Sequence, residues 1–374
     1  MIHIVTIRNK IPLFKGEEQA NSIELLEINE FGFELVSQKD LYQVGDKAVF
    51  IEPDYNLPDD SPLFDSFTKP GGDPKKSKLG SHNRIRAVKF NLHRGDGMPV
   101  YSNGILLPYN EVFKYIPNKD WFGDLGVYKY EAPERNHGGN VKQGASREFP
   151  AGLYKTDEPN INKVNLPFPI QLVGMEKLDG SSITIYVKDG KGGICSRNLE
   201  KPITYKKKTG FKHGLWYKFL SLFGYDRSIY TEVESESEFV KIGKPYLEKL
   251  TEYCKEKNIS VALRGELVGQ GASNGSGNKN NPHSKVDPTI YFFGADWYLQ
   301  NAERMHHMDY IELVAALGFQ HPTIVFNQVF ESREELLKTC EEYFANNMIE
   351  GIVVRSLDGK YSSKIMSLSY DARK

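Results

Sequence analysis

The sequence predicts an α+β protein, and three observations carry this prediction. Residues 1–110 contain short runs that alternate apolar and polar residues between polar turns, a pattern typical of a small β-barrel. Residues 171–187 begin a second region of strands with the same alternation. In that second region, apolar residues recur at helical spacing over residues 239–257, 305–317 and 332–346. We therefore expect helices there, flanking the strands.

Composition limits the functions that need to be considered. The chain has 374 residues, with 48 Lys and Arg against 49 Asp and Glu, so any site for a polyanion must be a local patch. Three scattered cysteines fit a reducing compartment and exclude a disulfide framework. No apolar run is long enough to span a membrane, and the N-terminus lacks a signal-peptide core. We expect a soluble, cytoplasmic monomer without membrane contact.

The strands predicted for the barrel cover residues 2–8, 22–28, 33–37, 47–52, 84–90 and 103–108. The strand at 84–90 alternates basic and apolar residues, so its cations are Arg84, Arg86 and Lys89. One interpretation is a solvated barrel face. The other is a nucleic-acid-binding face, which OB-type barrels commonly use.

A polar, glycine-bearing stretch without apolar periodicity covers residues 134–150. It predicts a linker and divides the chain into an OB-like barrel (1–130), a linker (131–150) and a second domain (151–374).

The second domain is organised around Lys177. Here an apolar run leads through Glu176-Lys177-Leu178-Asp179-Gly180 into an alternating strand, which alone could be an ordinary hairpin end. Further polar motifs follow at the ends of predicted strands. They are S-R-N around Arg197, R-G-E-L around Glu266, E-G-I-V-V-R from Glu350 and K-I-M from Lys364.

This ordered set of K-x-D-G, S-R-N, G-E-L, E-G-h-V-h-R and a lysine-bearing strand resembles the covalent nucleotidyltransferases, which include RNA ligases, DNA ligases and mRNA capping enzymes. The resemblance implies a nucleotidyltransferase domain of antiparallel sheets flanked by helices. The segments VGDKAVFIEPDYNLP, RIRAVK and GILLP resemble the N-terminal OB-like module of the Deinococcus/Naegleria-type RNA ligases. K-T-D at residues 155–157 is similar to a motif of the same branch. DNA ligases and capping enzymes usually carry their OB domain after the catalytic domain.

The resemblance implies that Lys177 attacks the α-phosphate of ATP and forms lysine–AMP. A free lysine is protonated at neutral pH, so we expect burial and nearby cations, including a metal, to favour its neutral amine. Asp179 could act as a base, orient Lys177 or orient a terminal nucleotide. Gly180 would permit a turn that brings backbone close to the phosphates. Glu176 would act through its main chain near adenine.

Other roles implied by the resemblance concern phosphate and metal. Arg197 would contact the ribose or the 5′-phosphate, for which a planar guanidinium is suited. Glu266 would bond the ribose or help hold a metal; alternatively, it simply pairs with Arg264. Glu350 would coordinate Mg²⁺ or Mn²⁺ bridging the phosphates, and Lys364 would neutralise the α-phosphate in the transition state.

Aromatic side chains in residues 291–297 match a strand that supplies an adenine-stacking platform, although such strands often form only core. Phe292 is the predicted stacking residue, with Phe293 the alternative because one register slip exchanges the two faces. Residues 204–222 interleave lysines with aromatics and predict either a nucleic-acid surface or a basic lead-in to a helix from about 214. Met366 stands where many relatives have a second lysine.

These expectations combine into an ATP-dependent RNA ligase. It would join a 3′-hydroxyl to a 5′-phosphate through lysine–AMP and an adenylylated 5′ end, at nicks in duplexes whose 3′-hydroxyl strand is RNA. The cofactors would be ATP and Mg²⁺ or Mn²⁺, and the partner RNA or an RNA-containing nicked duplex. The alternatives are a DNA ligase, a capping-type nucleotidyltransferase, or a non-catalytic nucleic-acid-binding protein on the same scaffold.

Overall fold

A computed structural model of the protein describes residues 1–115, 121–129, 146–214, 216, 226, 228–270 and 281–372. The large sheets are antiparallel and helices pack against them, so the α+β prediction is confirmed. The N-terminal elements are β1 (Ile2–Lys15), β2 (Glu18–Ile28), β3 (Glu34–Gln38), β4 (Lys47–Ile51), β5 (Tyr55–Asn56), α1 (Asp65–Thr68), β6 (Val88–Phe90), β7 (Val100–Ser102), β8 (Ile105–Pro108), α2 (Tyr109–Tyr115), α3 (Trp121–Asp124) and β9 (Tyr128–Lys129).

The long strand β1 organises the N-terminal sheet, whose order is β3-β2-β1-β4-β8. Its first half pairs with β4 and its second half with β2, and register shifts along the β1–β2 pairing accompany this change of partner. The sheet closes where the Val36 amide donates to Ser102 Oγ and the Asn103 amide donates to the Glu34 carbonyl, both at 3.0 Å. This closure produces the predicted OB-like barrel.

The strand predicted over 84–90 is shorter in the structure, because a regular strand begins only with β6 at Val88, and Arg84 forms just an isolated bridge with Asn56. The preceding backbone bonds elsewhere: the Ile85 amide donates to the Tyr55 carbonyl at 2.8 Å, and the Ala87 amide donates to Asp371 Oδ2 at 2.8 Å. Residues 84–87 therefore form a connection between the barrel and the C-terminal segment.

The second region contains β10 (Arg147–Glu148), β11 (Ile170–Lys177), β12 (Ser181–Lys188), β13 (Lys191–Ser196), β14 (Leu199–Lys201), β15 (Thr204–Phe211), β16 (Ser228–Glu234), α4 (Glu238–Lys257), β17 (Val261–Val268), β18 (Thr289–Tyr298), β19 (Ala302–Arg304), α5 (His307–Ala316), β20 (Ile324–Phe330), α6 (Arg333–Asn346), β21 (Gly351–Ser356), β22 (Ser362–Met366) and α7 (Leu368–Asp371). Helices α4, α5 and α6 confirm the three predicted helices. Among the described residues, no helix is long and apolar enough to cross a membrane.

Two facing sheets build this region, with strand orders β10-β14-β13-β12-β17-β18-β19 and β20-β11-β21-β22. Strand β11 alternates between two cores: Val173 and Met175 pack toward the seven-stranded sheet, while Leu172 packs with Leu336 of α6. Helix α4 covers β12 and β13. The chain crosses from one sheet to the other between Lys177 and Ser181, which places the K-x-D-G motif at their junction.

The predicted linker needs one correction. Arg147–Glu148 pairs with β14 at the edge of the seven-stranded sheet, so the second region includes residues before 151. Residues 131–145 of the predicted linker lie outside the described residues. The domain boundaries otherwise stay a prediction.

Candidate active site

Lys177 is the last residue of β11 and pairs in register with Gly351, the first residue of β21. Its Nζ donates to Glu350 Oε2 at 2.5 Å. The side chain of Lys177 is 26% exposed and that of Glu350 only 10%, so the ion pair is mostly buried in the cleft. The structure thus brings two of the predicted motif residues into direct contact.

Glu266 reaches the same place from β17 in the opposite sheet. Its Oε1 accepts a hydrogen bond from the Gly180 amide at 3.2 Å. A Cβ on Gly180 would lie 2.5 Å from the Leu267 carbonyl oxygen, so a side chain there would push the motif away from β17. Gly180 therefore allows the motif to pack closely against β17, and its predicted approach to the phosphates stays a prediction.

One ammonium and several carboxyl groups lie in this cleft, and the charge of each group changes the pKa of the others. Burial lowers the pKa of Lys177, but the carboxylates of Glu350 and Glu266 outweigh burial and raise that pKa above its ordinary value. Burial raises the pKa of Glu266 to about 8. These neighbours favour the ammonium form of Lys177, so the neutral amine expected for attack needs additional positive charge nearby, as a metal would supply.

Glu266 and Glu350 are the candidate ligands for a divalent cation. Among the described residues, no group of three or more His, Cys, Asp or Glu side chains could hold a metal ion. Magnesium, however, is commonly held by only one or two carboxylates together with waters and substrate phosphates. Because Glu266 and Glu350 both interact with Lys177, the pair fits a cation shared with a phosphate substrate.

Two tyrosines position the acidic residues that flank Lys177. The Tyr370 hydroxyl donates to Asp179 Oδ2 at 2.9 Å, and the Tyr343 hydroxyl donates to Glu176 Oε1 at 2.8 Å. The Glu176 amide donates to a neighbouring carbonyl at 3.0 Å. The sequence analysis missed both tyrosines, because nothing in their local sequence marks them as partners of the distant K-x-D-G motif.

The predicted phosphate-binding cations meet at a carboxylate. Arg197 follows β13 and its Nη2 donates to Asp157 Oδ2 at 3.0 Å. Lys364 Nζ, on β22, lies 3.6 Å from Asp157 Oδ1. Burial, followed by the charge of Lys177, lowers the pKa of Lys364. The K-T-D segment therefore lies beside two residues that the sequence analysis assigned to phosphate.

Phe292 does not present a face for adenine. It is fully buried, stacks on Phe319 with ring centroids 5.2 Å apart and meets Tyr246 edge-on. Its neighbour Phe293 is the extra residue of a register shift, and its ring centroid is 5.2 Å from the Arg355 guanidinium. Tyr291 pairs with Glu266 across the β17–β18 ladder and so shares its face of the sheet.

A buried set of charges lies behind the site. Arg264 donates to Asp296 at 2.9 Å, with both side chains at most 3% exposed. Arg355 donates to Glu158 Oε1 at 2.8 Å, and Glu158 also accepts from Ser362. The alternative pairing of Glu266 with Arg264 is therefore wrong. Glu158 connects the two sheets, because it bonds Arg355 of the four-stranded sheet and its Oε1 lies 3.9 Å from Nη1 of Arg264 in the seven-stranded sheet.

The basic residues predicted on the barrel are not one row of strand cations. Arg84 Nε donates to Asp54 Oδ1 at 3.1 Å and Arg86 Nε donates to the Lys78 carbonyl at 3.0 Å, while Lys89 is exposed in β6. The charge of Asp54 also acts on Lys364, which brings this side of the barrel close to the cleft. Their contact with nucleic acid stays a prediction.

The lysine-rich stretch after Arg197 begins as a strand. Residues 204–211 form β15, which pairs with β16 as a two-stranded ribbon whose side chains are mostly exposed. Of the helix predicted from 214 to 222, nearly all residues lie outside the described part of the chain. The use of this stretch as a nucleic-acid surface stays a prediction.

Two facing antiparallel sheets with a lysine at their junction are the architecture that the nucleotidyltransferase motifs imply. A family model described as RNA ligase matches residues 170–366, more than half of the chain. The chain belongs to the RNA ligase family. No curated protein sequence matches it.

Solved structures of Naegleria gruberi RNA ligase have the same fold. The form with pyrophosphate matches with a TM-score of 0.68 and 22% identity, over 99% of this chain and 97% of that one. A lysine-to-alanine variant with ATP and Mn matches with a TM-score of 0.68 and 21% identity, over 100% and 98% of the two chains. A lysine-to-methionine variant with AMP and Mn gives the same TM-score, identity and coverage.

Proposed function

We propose that this RNA ligase uses ATP to join a 3′-hydroxyl end to a 5′-phosphate end, with Lys177 as the covalent nucleophile. The observation that carries the proposal is the position of Lys177 at the junction of the two sheets, 2.5 Å from Glu350 and facing Glu266. The Naegleria structures that share this fold contain ATP, AMP, pyrophosphate and Mn, which supports the same ligands here.

The proposed reaction has three transfers. Lys177 Nζ, once deprotonated, attacks the α-phosphorus of ATP; the bond to the bridging oxygen breaks and pyrophosphate leaves. An oxygen of the 5′-phosphate then takes AMP from Lys177, which restores the amine. Finally the 3′-hydroxyl attacks that 5′-phosphate and AMP leaves. Arg197 and Lys364 would offset the negative charge of the transferring phosphates.

The base of ATP would lie on the face shared by Glu266 and Tyr291, where Tyr291 takes the stacking role first assigned to Phe292. Glu176 would be held in place by its bond from Tyr343. Asp179, fixed by Tyr370, would orient Lys177.

A divalent cation, Mg²⁺ or Mn²⁺, would be held by Glu266 and Glu350. When bound, it supplies positive charge that offsets the carboxylates and lowers the pKa of the Lys177 ammonium. Before it can attack, Lys177 must lose its proton, and its ion pair with Glu350 must break.

For the substrate, we propose a nick in a duplex whose 3′-hydroxyl strand is RNA. The barrel supports this choice, because it is attached beside the cleft: Lys163 bonds Glu52 of the barrel, and the Ala87 amide donates to Asp371. A duplex in the cleft would then also meet Arg84, Arg86 and Lys89.

Sealing of labelled nicked duplexes tests the proposal. We expect ATP-dependent joining when the 3′-hydroxyl strand is RNA, weaker joining when it is DNA, and none with Lys177→Ala. Labelling of the protein by GTP in place of ATP would indicate a capping-type activity. Binding of the nicked duplex without any joining or labelling would indicate a non-catalytic protein and contradict the proposal.

A further inference from the structure

Three arginines line a small cavity behind the candidate active site. Arg264 comes from β17, Arg304 from β19 and Arg355 from β21. His307, the first residue of α5, and the turn between β21 and β22 complete the wall. The cavity volume is about 30 Å³. A space of this size holds about one or two water molecules or a single small ion, and it is too small for a nucleotide.

Arg264 has a guanidinium nitrogen without a hydrogen-bond acceptor among the described residues. Its Nε and Nη2 donate to the Asp296 carboxylate at 2.9 and 3.2 Å. Its Nη1 is buried and has no such bond, since Oε1 of Glu158, at 3.9 Å, is beyond hydrogen-bonding distance. The whole side chain is only 3% exposed. Because an unsatisfied buried donor is costly, and more so when it is charged, this nitrogen requires an acceptor in the cavity.

Among the described residues, the charges around this cavity leave one positive charge in excess. The strongest charges acting on Arg264 are the carboxylates of Asp296 and Glu158 and the guanidinium groups of Arg304 and Arg355. Arg304 lies 3.3 Å from the same Asp296 carboxylate, and Arg355 lies 2.8 Å from Glu158. Three guanidinium groups therefore share two carboxylates.

The other titratable groups beside the cavity do not cancel this charge. Burial, followed by the charge of Arg355, lowers the pKa of His307 to about 4, so its ring is neutral at pH 7. The Tyr310 hydroxyl donates to a backbone carbonyl at 2.5 Å, and burial raises its pKa. Asp358, in the turn between β21 and β22, lies 3.0 Å from the Lys360 ammonium and so has a counter-charge of its own.

We propose that this cavity binds one monovalent anion of halide size, such as chloride. The anion accepts a hydrogen bond from Arg264 Nη1 and balances the excess positive charge. A phosphate, with about two negative charges, would exceed both the charge to be balanced and the volume. Arg304 is 27% exposed, so the ion can enter from solvent on that side.

The bound anion would connect the strands that carry the candidate metal ligands. Arg264 precedes Glu266 by two residues on β17, and β21, which carries Arg355, begins directly after Glu350. An anion between the two arginines adds a link between the two sheets. The site needs neither ATP nor nucleic acid, so this inference goes beyond the proposed ligation and does not depend on it.

Anomalous diffraction from crystals of the wild-type chain soaked in sodium bromide locates the anion directly. Bromide replaces chloride and scatters anomalously, and we expect a peak beside Arg264 Nη1. In solution, the probe is sodium chloride exchanged against sodium gluconate at constant ionic strength, because gluconate is too large for the cavity. We expect about 100 mM chloride to lower the equilibrium constant of urea unfolding about tenfold, which corresponds to a dissociation constant of about 10 mM.

A matched pair of arginine variants separates binding at the cavity from a general effect of salt. Arg304→Met removes the excess charge and leaves Arg264 and Arg355 each with a carboxylate, so the effect of chloride should fall below about twofold. Arg94→Met makes the same change in the barrel, where Arg94 bonds Glu34 and is 38% exposed. This control should keep the tenfold effect of wild type.

Two results would overturn the proposal. If no bromide peak lies beside Arg264, water is the acceptor for its Nη1. If chloride stabilises wild type, Arg304→Met and Arg94→Met equally, its effect does not come from this cavity. The bromide experiment uses only the wild-type chain, so it decides the question even if Arg304→Met does not fold. A failed ligation would appear separately, as an absence of labelling at Lys177.

Discussion

Asp157 and Glu158 are adjacent carboxylates, and both bond an arginine, yet their surroundings differ in almost every respect. Asp157 is half exposed, and so is its partner Arg197. Glu158 and its partner Arg355 are each only 14% exposed, with Arg264 nearby. One acid therefore pairs with an exposed arginine at the open cleft, and the other with a buried arginine in the interior between the sheets.

This comparison indicates that burial, rather than residue type, determines whether a ligand can replace an ion pair. An exposed ion pair can be replaced by a ligand, whereas a buried one leaves an unpaired charge when it is broken. The same contrast recurs in β18, where Tyr291 shares the face of Glu266 while Phe292 packs into the core against Phe319. Each pair of neighbours can be tested by matched substitutions.

The largest loss of stability is expected for a substitution in β18. Phe292→Ala should destabilise the protein by about 4 kcal/mol, because it leaves a cavity in the core. Tyr291→Ala should cost far less stability but raise the ATP concentration needed for half-maximal self-labelling several-fold. Denaturant unfolding and ATP titration measure the two effects. A larger ATP defect in a folded Phe292 variant than in the Tyr291 variant would contradict this distinction.

A second comparison uses the adjacent acids. Glu158→Gln should lower the free energy of unfolding by about 3 kcal/mol, since it leaves the buried Arg355 without its counter-charge. Asp157→Asn should change it by no more than about 0.5 kcal/mol, as for other exposed ion pairs. Urea unfolding of both variants at pH 7 measures the difference. Equal losses in the two variants would mean that burial does not separate these acids.

The pH dependence of stability is a further test of the comparison between Asp157 and Glu158. Burial raises the pKa of Glu158, but Arg355 and the hydrogen bond from Ser362 outweigh burial and hold it at about 2, below the ordinary value of 4.5. The stabilisation is therefore complete above pH 4.5 and is lost as the pH falls toward 2. The stability gap between wild type and Glu158→Gln should be full at pH 7 and narrower at pH 3. If the stability difference between wild type and Glu158→Gln were the same at pH 7 and pH 3, the charge of Glu158 would not be its cause.

The smallest loss of stability is expected for a substitution of Tyr370. Tyr370→Phe removes only the hydroxyl that donates to Asp179, so it should cost about 1 kcal/mol of stability. It should also slow self-labelling several-fold by releasing Asp179. In an Asp179→Asn background the same change should have little further effect on labelling. Additive rate losses in the double variant would show that Tyr370 does not act through Asp179.

Much of the architecture could be predicted from the sequence, because period-two and helical patterns are local. The three helices of the second region agree with their predicted positions. The resemblance implied that Lys177, Glu350 and Glu266 act at one site, and the structure places the three side chains together.

What the sequence could not show depends on tertiary contacts. The β6 strand is short because the backbone before it bonds Tyr55 and Asp371. Phe292 was placed on the wrong face because its alternation alone does not reveal which side of β18 the core occupies. Tyr370 and Tyr343 carry no local signal, since their partners are distant in sequence.

Mapping of the AMP adduct tests the central claim most directly. Wild-type protein and Lys177→Arg, which keeps a positive charge beside Glu350, would be incubated with ATP and Mg²⁺ and analysed by peptide mass spectrometry under conditions that preserve phosphoramidates. The account predicts one AMP on the peptide that contains Lys177, and none on the variant. AMP on another residue, or an equal adduct on the variant, would contradict it.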